Sequence, residues 1–246
     1  MKQARVLILL ITLPCFPLAA QEMPVMISVE GGTFTMGDNT GNDDEKPAHS
    51  VTVKSFRLAR TETTVAQWRA YATAVGLRMP EVPWFGLEDR QPIVNVSWDQ
   101  ANAYCQWLSV TTGQHYRLPT EAEWEFAARG GNKSRGYAFS GSNTVDSVAW
   151  ISSKSNGPAP VATKKPNELG LYDMTGNVWE WCSDVYDAQY YATGKKEKPK
   201  GPLKGMFYTL RGGAWDQGPG NNRIPYRNPL APTSRNHNKG FRVAAD

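Results

Sequence analysis

The spacing of apolar positions predicts three helices, each opened by the same device. Thr64 is followed three residues later by Gln67, the pair with which a hydroxyl and an amide close a helix start reciprocally, and Val65, Trp68, Ala72 and Val75 then share one face. Gly76 stands where that helix would stop, a place that favours a residue without a side chain. Ser97 with Gln100 repeats the device ahead of a stripe of Ala101, Tyr104, Cys105 and Leu108. Thr120 with Glu123 repeats it again, with Trp124, Ala127 and Ala128 turned inward and Gly130 as the stop. Strand signals are shorter and scattered, at residues 33–36, 50–58, 209–211 and 241–243. Residues 130–168 and 182–208 show neither period, and irregular segments of that length are usually functional or pinned by ions.

The beginning of the chain reads differently. After Met1-Lys2-Gln3-Ala4-Arg5 it runs apolar through residues 6–20 and closes on Ala19-Ala20. A basic start, a short apolar stretch and a small-residue end predict a secretory signal peptide cleaved after Ala20, too short to remain as a membrane span. The expected location of the mature chain is therefore the periplasm, without membrane insertion. Residues 21–246 suffice for one domain with a sizeable core, and no repeat or linker divides them. Lys2 and Arg5 lie in the leader, so the remainder holds +2 of the formal +4, too balanced to argue for nucleic acid. The run Lys195-Lys196-Glu197-Lys198-Pro199-Lys200 reads as a solvated loop or a contact for an acidic partner. Nine tryptophans among 17 prolines and 22 glycines describe a loop-rich domain in which aromatic rings supply much of the buried area. Cys105 and Cys182 remain after the leader; in an exported chain they can form a disulfide or lie buried and free.

Several chemistries are excluded by spacing. His49, His115 and His237 lack ligand spacing, which argues against a transition-metal or haem site. No phosphate loop, nucleophile elbow or Cys-His-Asp set is present. Arg117, Glu121, Glu123, Glu125 and Arg129 form a charge cluster, but 121 with 125 and 125 with 129 share helical faces, so a surface ion-pair ladder accounts for them.

Four stretches carry a family resemblance: Gly31-Gly32-Thr33-Phe34-Thr35-Met36-Gly37; Tyr116-Arg117-Leu118-Pro119-Thr120-Glu121-Ala122-Glu123-Trp124; Gly170-Leu171-Tyr172-Asp173-Met174-Thr175-Gly176-Asn177-Val178-Trp179-Glu180-Trp181; and Arg211-Gly212-Gly213 with Gly240-Phe241-Arg242. In order and spacing the chain resembles the formylglycine-generating enzyme (sulfatase-modifying factor) superfamily over residues 24–246. The resemblance implies an α+β, C-type-lectin-like, loop-rich single domain over residues 21–246. Members that oxidise a substrate cysteine carry two cysteines, five residues apart, after the Arg-Gly-Gly motif; those positions here hold Gln217 and Asn222. Amides cannot replace thiolates in capturing Cu(I), so the implied scaffold comes without copper and without the signature reaction. The family's usual partner for the equivalent of Cys105 is also replaced, by Val243.

The resemblance further implies a structural Ca²⁺ site, with side chains at Asp173 and Glu180 and carbonyls at Gly176 and Val178; hard oxygens on a tight loop suit that ion. The residues equally allow Glu180 to meet an arginine while Asp173 caps a turn. A second calcium loop of the family would fall at residues 147–156, where Trp150 stands near a ligand position and no ion is expected. The segment that replaces the catalytic stretch is expected to line the family's groove with Trp215, Asn222, Arg223, Tyr226 and Arg227, of which Trp and Arg are frequent binding anchors. The competing expectation is that these arginines tie irregular loops to backbone carbonyls.

Three functions compete. A non-catalytic binding or regulatory protein of the envelope is the first; the chain is similar to TagR-like periplasmic accessory proteins of type VI secretion, which implies contact with the exported domain of a membrane threonine kinase and promotion of its activation. An exported oxidoreductase resembling the PvdO-like proteins of siderophore maturation is the second. A working formylglycine-generating enzyme is the third, opposed by the missing thiols.

Overall fold

Each of the three capping pairs opens a helix. Thr64 Oγ1 accepts from the Gln67 N–H at 3.2 Å and the Gln67 side chain accepts from the Thr64 N–H at 3.0 Å, starting α1 (Val65–Val75), which ends at Gly76 with φ +69°. Ser97 with Gln100 starts α2 (Trp98–Thr112), and Thr120 with Glu123 starts α3 (Glu121–Ala128). Such caps contribute about 1 kcal/mol each. The computed structural model describes residues 23–152, 155–194 and 196–246; the expected signal peptide lies outside them.

The described residues form ten strands. A four-stranded sheet runs in the order β1 (Met26–Val29), β4 (Phe56–Ala59), β10 (Ala244–Ala245), β5 (Tyr116–Arg117). A second runs β8 (Asn228–Leu230), β7 (Tyr208–Arg211), β6 (Trp179–Val185), β9 (Lys239–Gly240), and β2 (Gly32–Met36) pairs with β3 (His49–Val53). The strands expected at 33–36 and 209–211 form, and the alternation over 50–58 divides at Lys54-Ser55 into β3 and β4. Residues 241–243 are not a strand; they connect β9 of one sheet to β10 of the other. Phe241, Arg242 and Val243 are wholly buried there, and the carbonyls of Phe241 and Val243 accept from Thr63 and Ala59 at 2.8 Å each.

The largest core region lies beneath α1 and α2, where Trp68 stacks on Tyr104 at 5.9 Å and Phe241 meets both rings edge-on. Tyr71 supplies the inward ring, whereas Val75, expected inward, is half exposed in the last turn. Cys105 belongs to this region and Cys182 to a second one around Trp124 and Phe126. Both thiols are free, so the disulfide alternative is not the one adopted. The irregular segment 130–168 is pinned by an amide: Asn167 Nδ2 donates to the Ala127 carbonyl at 2.8 Å and to Ser140 Oγ at 3.0 Å, while its Oδ1 accepts from the Leu169 and Leu171 N–H groups. A short helix, α4 (Tyr190–Thr193), interrupts the other irregular segment. Among the described residues no helix is long and apolar enough to cross a membrane.

Candidate functional site

The site is built where β7 ends. Gly212 and Gly213 follow Arg211 with φ of +98° and +80°, and a Cβ at 213 would collide with Asn222 Oδ1, so only glycine allows the chain to close here. A 3-10 turn over Pro219–Asn222 brings the two thiol-equivalent positions together. Asn222 is buried and donates through Nδ2 to the carbonyls of Gln217 at 3.2 Å and Gly218 at 2.7 Å. Gln217 donates to Asp216 Oδ1 at 3.2 Å and accepts from Asn221 at 2.9 Å. Amides thus tie the loop together at the positions where thiols would react. The two cysteines elsewhere offer no substitute, since burial pushes both thiols up, away from the thiolate form.

Beside this knot lies an open aromatic face. Trp84 is 70% exposed and its ring meets His237 at 4.6 Å, Phe85 at 5.2 Å and Trp215 at 6.0 Å. The neighbouring cavity, of about 400 Å³, is lined by Glu81, Val82, Trp84, Asn95, Arg235 and His237 among others. His237 Nε2 stands 3.6 Å from Asp216 Oδ2, and Asp216 is fixed by two 2.9 Å bonds from Asn238 Nδ2. Arg235 makes no hydrogen bond or ion pair among the described residues. This arrangement offers a rigid ring platform, an orientable imidazole and a free guanidinium, which is recognition chemistry.

The residues expected to line one groove do not share one face. Trp215 borders the open face; Asn222 lies behind it; Tyr226 packs its ring on Trp179 at 5.8 Å. Arg227 is buried, with Nε and Nη2 donating to Glu121 at 2.7 and 2.9 Å and its guanidinium 4.1 Å from the Tyr191 ring. Arg223 reaches Glu45 at 2.9 and 2.8 Å. Both arginines hold loops, through carboxylates and also through backbone carbonyls, Gly220 for Arg223 and Asp44 and Asp187 for Arg227.

The charge cluster on α3 is likewise corrected. Glu121 and Glu125 are buried, and Arg211 from β7 bridges them, 2.9 Å from Glu121 and in close contact with Glu125. Burial alone would raise the two carboxyls, but Arg227 and Arg211 at Glu121, and Arg129 and Arg211 at Glu125, hold both below the usual carboxylate range. The signal was available: Ala122, Trp124, Phe126, Ala127 and Ala128 leave α3 no solvent face on which to place a ladder. Of the expected ladder, Glu125–Arg129 pairs as the helical spacing suggests, while Arg117 reaches Glu123 from β5.

At the segment read as a calcium site, Asp173 is buried at φ +58° and accepts from the Ala162 N–H at 2.8 Å. Gly176, at φ +79°, packs so closely on the Trp150 carbonyl that a Cβ would collide with it. Glu180 accepts from Arg242 at 2.7 and 2.6 Å and from Trp124 Nε1 at 2.7 Å, which is the arginine alternative. Glu62, unremarked in the sequence, is buried beside them and accepts from Asn177 Nδ2 at 2.7 Å and the Val178 N–H at 3.1 Å. Three buried carboxyl groups therefore face one guanidinium, Arg242, and would leave an excess of two negative charges if all three were ionised. Burial, with Asp173 and Glu180 adding to it, pushes the Glu62 carboxyl well up, and burial raises Asp173 to about 6. Among the described residues no group of three or more His, Cys, Asp or Glu side chains stands ready to hold an ion; in charge, though not in a finished ligand set, the pocket fits a divalent cation.

Fold and site together define an α+β, loop-rich domain with the frame of a sulfatase-modifying factor and amides in place of its thiols. The chain belongs to the sulfatase-modifying factor (formylglycine-generating enzyme) family: the model of the Sulfatase-modifying factor enzyme 1-like domain matches residues 15–246. It is 32% identical to the formylglycine-generating enzyme of Streptomyces coelicolor, over 89% of this chain and 88% of that one. A mouse relative named inactive C-alpha-formylglycine-generating enzyme 2 is 31% identical over 97% of this chain and 91% of its own, so the family holds enzymes and an inactive member. Serine/threonine-protein kinase Pkn1 of Chlamydia trachomatis is 33% identical over 90% of this chain, which spans only 38% of the kinase's length. The solved structure of PvdO from Pseudomonas aeruginosa superposes with a TM-score of 0.82 at 31% identity, covering 92% of this chain and 96% of that one.

Proposed function

We propose that this chain is a non-catalytic periplasmic binding protein that promotes activation of a membrane threonine kinase controlling type VI secretion. The observation that carries the reading is the pair at Gln217 and Asn222, whose amide N–H groups donate within the loop, while Trp84 stands exposed against Trp215. In this reading the aromatic face at Trp84, Trp215 and His237 contacts the exported domain of the kinase. The occurrence of a similar domain within proteins named serine/threonine kinases supports the link. One structural Ca²⁺ at Asp173, Gly176, Val178 and Glu180 belongs to the same proposal, supported by the excess of carboxylates there. Kinase autophosphorylation in a strain lacking this chain tests it. Wild type restores the signal and Trp84→Ala does not; restoration by both removes the face from the function.

A second reading, an exported oxidoreductase of siderophore maturation like the PvdO-like proteins, is favoured by the extent of the likeness to PvdO. It requires a redox group that Asp216, His237 and the amides do not supply. Accumulation of an unoxidised siderophore precursor in the deletion strain, with kinase phosphorylation unchanged, would select it.

A further inference from the structure

The lysine-rich run is only partly a solvated loop. The Thr52 N–H donates to the Lys196 carbonyl at 3.0 Å and the Lys198 N–H to the Thr52 carbonyl at 2.9 Å, so the segment docks as a parallel bridge on β3. Docking sorts the lysines. Lys196 turns inward and donates to the Tyr191 carbonyl, and Pro199 is buried. Lys198 and Lys200 instead stand exposed across from Lys54, and none of the three has an ion pair or side-chain hydrogen bond among the described residues.

They line a cleft of about 700 Å³, within the range of small-molecule sites. The cleft also presents Ser55, Thr120, Ser183 and His115. Its two carboxylates are already hydrogen-bonded within the protein: Arg117 holds Glu123 at 2.7 and 2.9 Å and Asp246 at 2.9 and 2.8 Å, and His115 Nδ1 lies 2.7 Å from Asp246. Lys54, Arg117, Lys198 and Lys200 against Glu123 and Asp246, with His115 neutral, leave the lining a formal net charge of +2, and its three ammonium groups are the charges without a partner among the described residues. Ammoniums act as compact point charges for phosphate.

We infer that the cleft between Lys54 and the Lys198–Lys200 segment binds a multiply charged phosphate-bearing ligand. A concave wall with hydroxyls among the lysines suits a discrete phosphate group better than a flat anionic surface. The inference is independent of the kinase-contact reading, because Trp84, Trp215 and His237 take no part in this cleft.

Calorimetric titration of the folded mature chain with inorganic pyrophosphate is the test, at constant ionic strength. Wild type should bind saturably, and Lys198→Gln/Lys200→Gln should bind roughly tenfold more weakly or worse, since each lost ammonium removes a charge-assisted hydrogen bond. These lysines make no hydrogen bond or ion pair through their side chains among the described residues, so an unchanged melting curve shows that folding is intact. Lys204→Gln, exposed and outside the cleft, should leave the affinity as it is. Phosphatidylglycerol vesicles that displace pyrophosphate would identify the phosphate as a lipid headgroup, and failure to displace it would identify a soluble one. Absence of saturable heat in wild type, or equal affinity in wild type and the double variant, would overturn the inference.

Discussion

Replacing Arg227 with alanine should destabilise this protein without altering an exposed surface. Arg227 joins Glu121 through two bonds of 2.7 and 2.9 Å, donates to the Asp44 and Asp187 carbonyls at 2.8 and 3.3 Å, and lies over the Tyr191 and Tyr186 rings at 4.1 and 4.8 Å. Removing one partner of a buried pair costs about 3–5 kcal/mol. Arg211 remains 2.9 Å from Glu121 and keeps that carboxylate from being orphaned, which places the expected cost near the lower end, about 3 kcal/mol. At about 2–4 °C per kcal/mol for a domain of this size, the melting temperature should fall by roughly 6–12 °C. Urea unfolding should show the same loss as a lowered midpoint with unchanged slope. Arg235→Ala is the control, an exposed arginine without an internal partner, expected within about 0.5 kcal/mol of wild type. Coupling between Arg227→Ala and Glu121→Gln in a double-mutant cycle would confirm that the loss comes from this pair. An Arg227→Ala protein melting within about 2 °C of wild type, like the control, would refute the buried placement and return Arg227 to the groove.

Stability should also depend on pH through Asp184, whose carboxyl burial, with the Glu121 charge adding to it, raises to about 7. Unfolded, it titrates near 3.9, so between about pH 4 and 7 the native state binds the extra proton and stability falls as pH rises. Asp184→Asn should flatten melting temperature against pH across that window; superimposable curves would contradict the assignment. Chelation should lower the melting temperature: a ligand binding only the native state stabilises by about 2.7 kcal/mol at a hundredfold excess over Kd. Asp173→Ala should remove most of the chelator response, whereas identical wild-type curves with and without chelator would favour the Arg242–Glu180 pair as the complete arrangement. The purified chain should not convert a Cys-x-Pro-x-Arg peptide to formylglycine, with or without copper. Gln217→Cys/Asn222→Cys should not suffice either, because Asn222 is buried against Gly213 and ties the loop; aldehyde product at turnover in mass spectrometry would refute both statements.

The helix starts were legible because a capping box is local: Thr64, Ser97 and Thr120 declare themselves within three residues. The missing thiols were legible for the same reason. What escaped was set by partners distant in sequence. Glu121 looked like a surface charge until Arg211 and Arg227, 90 and 106 residues away, came to face it. Glu62 carries no signal of its own and gains meaning only beside Asn177 and Val178, more than a hundred residues on. Trp84 sits in a segment without periodicity, and its role depends on rings from residues 215 and 237. The stretch 241–243 alternates like a strand, yet its place between two sheets spends its hydrogen bonds on residues 59 and 63.

The central claim is that this chain works by binding through the Trp84 face. The most direct measurement is the affinity of the purified protein for the exported domain of a membrane threonine kinase, the partner class proposed above, for wild type and Trp84→Ala. Saturable binding by wild type, weakened roughly thirtyfold in the variant as for an interface anchor worth about 2 kcal/mol, with melting temperature unchanged, is the predicted result. Equal affinity of the two proteins, or no binding by wild type, would contradict the account.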